Sequence, residues 1–154
     1  MEYQTTTIEQ SSDLLAWGIQ EEKASMVYVN NADLPTFREE IDLADLVESG
    51  HEYTPAFTVA DLLRLMPPQI YIDNALLPNY KFFKLPDSGS TEFQFQIRRE
   101  DYERPLEPWR VGYISVGNNI PDSLYAETVV GDNLVDLLCN RIDWLLTNGY
   151  DLWR

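Results

Sequence analysis

Enzyme chemistry draws on a nucleophile with its base, a set of metal ligands or a phosphate cradle, and this chain is poor in all of them. His51, in the stretch SGHEY, is the only histidine, with no cysteine or second histidine at ligand spacing. A zinc site or a His-based triad therefore has no second member. Cys139 is the only cysteine, so an internal disulfide is excluded. Its setting among Leu138, Ile142 and Leu146 is that of an ordinary buried thiol, not of a nucleophile beside a base. Carboxylates are plentiful, but Glu39/Glu40 and Glu100/Asp101 are sequence neighbours, which point in different directions on a helix or strand. A hydrolytic pair needs one acid in an apolar pocket, and no stretch of sequence marks such a pocket. Asp33 to Glu52 lacks the alternating oxygen ligands and central glycine of a calcium loop. The 7 glycines are too scattered for a dinucleotide fingerprint. No catalytic residue, cofactor or metal is expected; an enzyme with an unrecognised carboxylate site ranks third among the readings.

Charge is the strongest compositional signal. With 26 acidic and 11 basic residues the formal net charge is −15, which opposes binding to a phosphate backbone. Within the acidic stretch stand Asp33, Glu39, Glu40, Asp42, Asp45, Glu48 and Glu52, opposed only by Arg38. Such a run is ordinarily a solvated surface; its sharper reading is a face that docks on a basic partner or mimics nucleic acid. Trp144, Tyr150 and Trp153 form a second candidate surface, an aromatic patch of the kind that marks interfaces.

These surfaces must be positioned by a fold, and 154 residues with 44% hydrophobic and 12% aromatic content suffice for one real core. Thr6-Thr7-Ile8-Glu9 has the form of a capping box opening a helix over about 7–17, with Ile8 and Leu15 on one face and Gly18 at its end. Glu21 to Met26 adds a helical turn leading into Tyr28-Val29. The stretch 33–53 reads as one or two short helices or an ordered loop. Thr58 opens a short helix, Val59 to Met66, that Pro67-Pro68 ends.

From Gln69 the period changes to that of strands. Ile70–Ile72, Tyr80–Leu85, Thr91–Arg98 and Trp109–Val116 are expected strands, and Ser123–Val130 an edge strand. Phe93, Phe95 and Ile97 alternate with Gln94, Gln96 and Arg98, the mark of a sheet with one dry face. Phe82, Phe93, Phe95, Trp109 and Tyr113 are expected in the core. Pro86 to Ser90 is a hairpin-type turn, Glu100 to Pro108 a charged excursion, and Gly117-Asn118-Asn119 a further turn. A closing helix runs over about 133–148, capped by Asp132, with Val135, Leu138, Cys139, Ile142, Leu145 and Leu146 in one stripe and Gly149 past its end.

The expected fold is a single α+β domain over 1–154: an acidic, mostly helical or irregular lead-in (1–57), then a helix, an antiparallel meander of three to five strands and a long C-terminal helix (58–154). The helix–strands–helix order of 59–148 is analogous to double-stranded-RNA-binding domains. The basic patch such domains need is missing from Asp132-Asn133-Leu134-Val135-Asp136, so nucleic-acid binding is disfavoured.

Three stretches carry a resemblance. TTTIEQSSDLLAWGIQEEKASMVY, PAFTVADLLRLMP and GDNLVDLLCNRIDWLLTNGY resemble, in the same order, motifs of a family of small proteins from phages, mobile elements and genomes of Bacteroidetes gut bacteria. They cover about a third of the chain. The family's tryptophan in the middle motif is replaced by Phe57, and the acidic stretch before it is long. The resemblance implies fold and a phage or mobile-element context. It carries no activity, cofactor or site residue.

The first functional expectation is a small acidic protein-interaction module, using either the 33–52 face or the aromatic patch; the alternative is an acidic mimic of nucleic acid that inhibits a DNA-binding enzyme. No apolar run approaches the roughly 18–20 residues of a membrane span, and MEYQTTTIEQ lacks the pattern of a secretory signal. A cytoplasmic protein with no membrane partner is expected, and self-association is left open.

Overall fold

Residues 4–99, 109–117, 120–121 and 124–153 are described by the computed structural model. The excursion at Glu100–Pro108, the turn residues Asn118-Asn119 and Ser123 lie outside them. The fold is α+β, with two antiparallel sheets: three strands in the order β2-β1-β3 and four in the order β4-β5-β6-β7. In chain order the elements are α1 (Ile8–Ala16), β1 (Met26–Val29), β2 (Thr36–Phe37), α2 (Leu43–Glu48), β3 (Tyr53–Ala56), α3 (Val59–Leu65), β4 (Gln69–Asp73), β5 (Ser90–Arg99), β6 (Trp109–Ser115), β7 (Ala126–Gly131) and α4 (Leu134–Thr147). Single 3-10 turns occupy Glu21–Lys23, Arg38–Glu40 and Asn74–Leu76.

α1 is opened by a capping box one residue later than expected. The Gln10 amide donates to Thr7 Oγ1 (3.1 Å) and the Thr7 amide to Gln10 Oε1 (2.9 Å). The shift frees Thr6, whose hydroxyl is buried between Ser11 Oγ (2.7 Å) and the Phe57 amide (2.9 Å). It also turns the helix, so Leu14 and Ser11 face inward while Leu15 is exposed. At the other end of the chain α4 is capped by Asn133, which accepts from the Asp136 amide (3.1 Å), and not by Asp132. Its inward stripe is wider than the expected one: Leu134, Leu137 and Arg141 join Val135, Leu138, Cys139, Ile142 and Leu145. Gly149, at φ +81°, lets the Tyr150 amide turn back to the Leu145 carbonyl (2.9 Å).

The main core lies between α4 and the inner face of the four-stranded sheet, closed by Leu62, Leu65 and Met66 from α3 and its end and by Leu14 from α1. Register explains the face. Phe93 pairs with Ile70 and Ser115, Phe95 with Tyr113, and Ile97 with Val111, which also pairs with Val129. Each large apolar side chain buried here contributes roughly 1.5–3 kcal/mol, an upper figure given a compact unfolded chain. Gly112 is required where β6 meets β7. At φ +156° a Cβ would overlap the Glu127 carbonyl oxygen and stand 2.7 Å from Thr128 Cα.

The three-stranded sheet occupies sequence read as helical or irregular. Its strands run from two to four residues, and β3 contains Pro55, too little for a period-2 signal. Met26, Tyr28 and Ala56, with Ile8 against them, form its small separate cluster.

The expected strand at Tyr80–Leu85 does not form. Residues 74–89 are instead a long connection between β4 and β5, whose ends meet at the Asp73–Ser90 pair. Asn74 ties its base. The Asn74 amide donates to the Gly89 carbonyl (2.9 Å), Nδ2 donates to the carbonyls of Pro86 and Ser88 (both 3.2 Å), and Oδ1 accepts from Thr91 Oγ1 (2.6 Å). Inside the loop, Tyr80 and Phe83 exchange amide–carbonyl bonds (3.1 and 3.2 Å), which places Lys81 and Phe82 at a tight tip. Phe83, Leu77 and Leu85 pack on the core, whereas Phe82 points outward and is 92% exposed, correcting its expected place in the core.

Candidate functional site

The acidic stretch is an open surface. Glu39 and Glu40 sit on a 3-10 turn, Asp42 caps α2, Asp45 and Glu48 lie on α2, and Asp33 and Glu52 flank them; all seven are exposed. Asp42 accepts from the Asp45 amide (3.2 Å), so one carboxylate of the seven is committed to local structure. Arg38, the one opposing base, donates to the Glu21 carbonyl (2.8 Å) and fastens the stretch to the preceding turn. His51 is exposed and meets Asn30 Nδ2 at 2.8 Å. Among the described residues no group of three His, Cys, Asp or Glu could hold a metal ion.

The one buried carboxylate among the described residues is Asp61, and its work is structural. Oδ2 accepts from the Ser25 amide (2.9 Å), Ser25 Oγ (2.8 Å) and the Thr58 amide (2.9 Å), welding the start of α3 to the segment before β1. Three donors converge on that one oxygen, which fixes Ser25 and the start of α3 in place. Cys139 is inert: burial, with lesser help from Asp136 and Asp13, pushes its thiol up to about 12, so no thiolate forms near neutrality.

The three aromatics expected to form one patch divide. Trp144 stacks between Tyr113 (centroids 6.3 Å apart) and Tyr150 (5.6 Å), with the Arg141 guanidinium over its ring at 5.3 Å. Arg141 is only 7% exposed and donates to Asn140 Oδ1 (2.8 and 3.2 Å) and the Glu127 carbonyl (3.3 Å). Burial, then the Glu127 charge, raises the Tyr150 hydroxyl. Trp144 and Tyr150 thus seal the edge of the core, half-buried, with the cation as part of the seal.

Trp153 is different. It is 56% exposed, yet its amide is held by the Leu65 carbonyl at 2.8 Å. Two grooves share its side chain along with Lys23 and Leu65. The larger, about 650 Å³, includes Glu22, Arg64, Met66 and Pro68. The smaller, about 290 Å³, includes Trp17, Ile19, Leu146 and Asp151. Trp17, itself partly exposed, was not singled out from the sequence, because nothing local distinguishes a helix-end tryptophan beside a groove from one beside solvent. The side chains around the larger groove balance, Lys23 and Arg64 against Glu22 and Asp61, on a molecule whose charge is otherwise strongly negative.

No protein family, curated protein or solved structure matches this chain. The resemblance to the Bacteroidetes and phage proteins rests on its three quoted stretches.

Proposed function

We propose that this chain is a small protein-interaction module, of phage or mobile-element type, that grips an extended segment of a partner protein along the grooves flanking Trp153. One observation carries the reading: a large aromatic side chain stands exposed while its backbone is fixed, so it meets a partner without first being ordered. The occupant's chemistry follows from the lining. An apolar side chain lies against Trp153, Leu65 and Met66, and a neighbouring carboxylate reaches Lys23, which borders both grooves. The acidic 33–52 face repels an acidic partner; here the lining is electrically balanced. The acidic 33–52 face then keeps wrong partners away and the protein soluble.

The test is cross-linking from a photoreactive residue placed at Trp17, in lysate of a native-type host at low and high salt. A single cross-linked protein that disappears with Trp153→Ala, and persists when Glu39, Glu40 and Glu48 are changed to Gln, is the expected result. A partner that survives Trp153→Ala but is lost with the three Gln changes or with added salt would transfer the function to the acidic face and revive nucleic-acid mimicry.

A further inference from the structure

The loop 74–89 brings exposed apolar side chains and lysines together. Two of the chain's three lysines, Lys81 and Lys84, lie within it, with Asp87 the one acid between Asp73 and Ser90. Its outward apolar side chains are Phe82, 92% exposed, and Leu76, 77% exposed, with Tyr80 partly exposed behind them. The Lys81 ammonium lies over the Phe82 ring, 5.3 Å from its centroid. None of this serves the core, which takes Leu77, Phe83 and Leu85 from the other side of the same loop. The tip is also pre-shaped, by the Tyr80–Phe83 bonds above and Asn74 below.

We propose that this loop is a membrane-surface anchor whose tip enters the interface of an anionic bilayer. The tip pairs an exposed aromatic ring, which suits the apolar side of such an interface, with an ammonium over that ring and a second lysine two residues on, which suit its headgroups. A bilayer takes a single exposed ring flanked by lysines and needs no matching shape. The net charge of −15 does not forbid the contact, because screening over about 8 Å leaves mainly the charges near the tip to meet the lipid. No helix among the described residues is long and apolar enough to cross a membrane, and surface anchoring requires none.

Flotation of the whole chain with vesicles tests this, using phosphatidylcholine alone and phosphatidylcholine mixed with phosphatidylserine. The chain is expected to float with the phosphatidylserine vesicles, less so at high salt. Phe82→Ser weakens the partitioning about 10- to 100-fold, and Lys81→Gln with Lys84→Gln about 30-fold. Leu34→Ser, a change at another largely exposed apolar side chain, in the acidic stretch, leaves it unchanged. These side chains are exposed, so circular dichroism stays the same throughout. Failure of the unaltered chain to float, equal flotation of Phe82→Ser, or an equal loss with Leu34→Ser would overturn the proposal. Because Trp153 takes no part, Trp153→Ala floats normally, and the result stands apart from the groove.

Discussion

The two sheets are held together by different forces. The four-stranded sheet and α4 share one cluster of twenty buried side chains with α1 and α3; the three-stranded sheet has the cluster of Met26, Tyr28 and Ala56, and buried Val27. What the small sheet lacks in apolar burial it makes up in polar bonds to its neighbours. Tyr28 Oη donates to the Thr6 carbonyl (2.8 Å), Thr6 Oγ1 receives the Phe57 amide, Asp61 holds Ser25, and Tyr53 donates to Glu21 (3.0 Å). Apolar burial is non-directional and tolerates sequence change, whereas each polar bond depends on one geometry. The half of the molecule with the dense core is thus free to carry a projecting loop, and the half with the acidic surface depends on a handful of named hydrogen bonds.

The comparison is broken most severely from the core side. Leu138→Ala removes a fully buried side chain from the centre of α4 and is expected to cost about 2–5 kcal/mol, read as a lower urea midpoint for both sheets together. Asp61→Ala attacks the other side. It leaves the Ser25 and Thr58 donors unpaired, at a cost of about 2–4 kcal/mol. Hydrogen exchange should show β1 and β3 opening first while β5 and β6 stay protected; uniform opening would mean that the two sheets share one cooperative unit.

Alkaline pH separates the halves more gently. The Cys139 thiol, raised to about 12 in the folded chain mainly by burial, stays neutral there, while the unfolded thiol ionises near 8.5. Its stabilising effect is complete below about pH 8.5 and falls away as pH rises toward about 12, by about 1.4 kcal/mol per unit. Buried Tyr113, also raised, acts in the same direction at higher pH. Cys139→Ala should flatten the part of this decline between pH 9 and 10, as followed by chemical denaturation. The smallest effect belongs to the acidic stretch. Glu39→Gln, Glu40→Gln and Glu48→Gln together should leave the urea midpoint unchanged or slightly raised at low salt, and the difference should vanish at high salt.

Regular structure was legible in the sequence where periodicity ran long. The alternation at Phe93–Arg98, the strand at Trp109–Ser115 and the stripe of α4 all rest on patterns of five residues or more. The small sheet was not legible because two- to four-residue strands have no measurable period. Tyr80–Leu85 misled for a related reason: YKFFKL has the composition of a strand, yet what occupies that place is decided by long-range bonds to Asn74 and by the tilted contact of the Tyr80 and Tyr125 rings (5.2 Å). Among the candidate site residues, proximity along the chain joined Trp144, Tyr150 and Trp153; the turn at Gly149 sends the first two against the sheet and the third to α3. Burial on a helix follows its phase against its neighbours, which here puts Leu14 inward and Leu15 outward.

Asn74 carries one more consequence, in chain entropy. A connection of sixteen residues between paired strands costs about 2 kcal/mol more to close than a two-residue hairpin. The four bonds of Asn74 fall where that cost is incurred, at the neck of the loop. A shortened chain joining Asp73 to Ser90 through a tight turn would recover that entropy but lose the packing of Leu77, Phe83 and Leu85 on the core and the cover that Tyr80 and Phe83 give Tyr125. The long connection thus exchanges chain entropy for apolar contact on its inner side, and leaves Phe82 to project from its outer one.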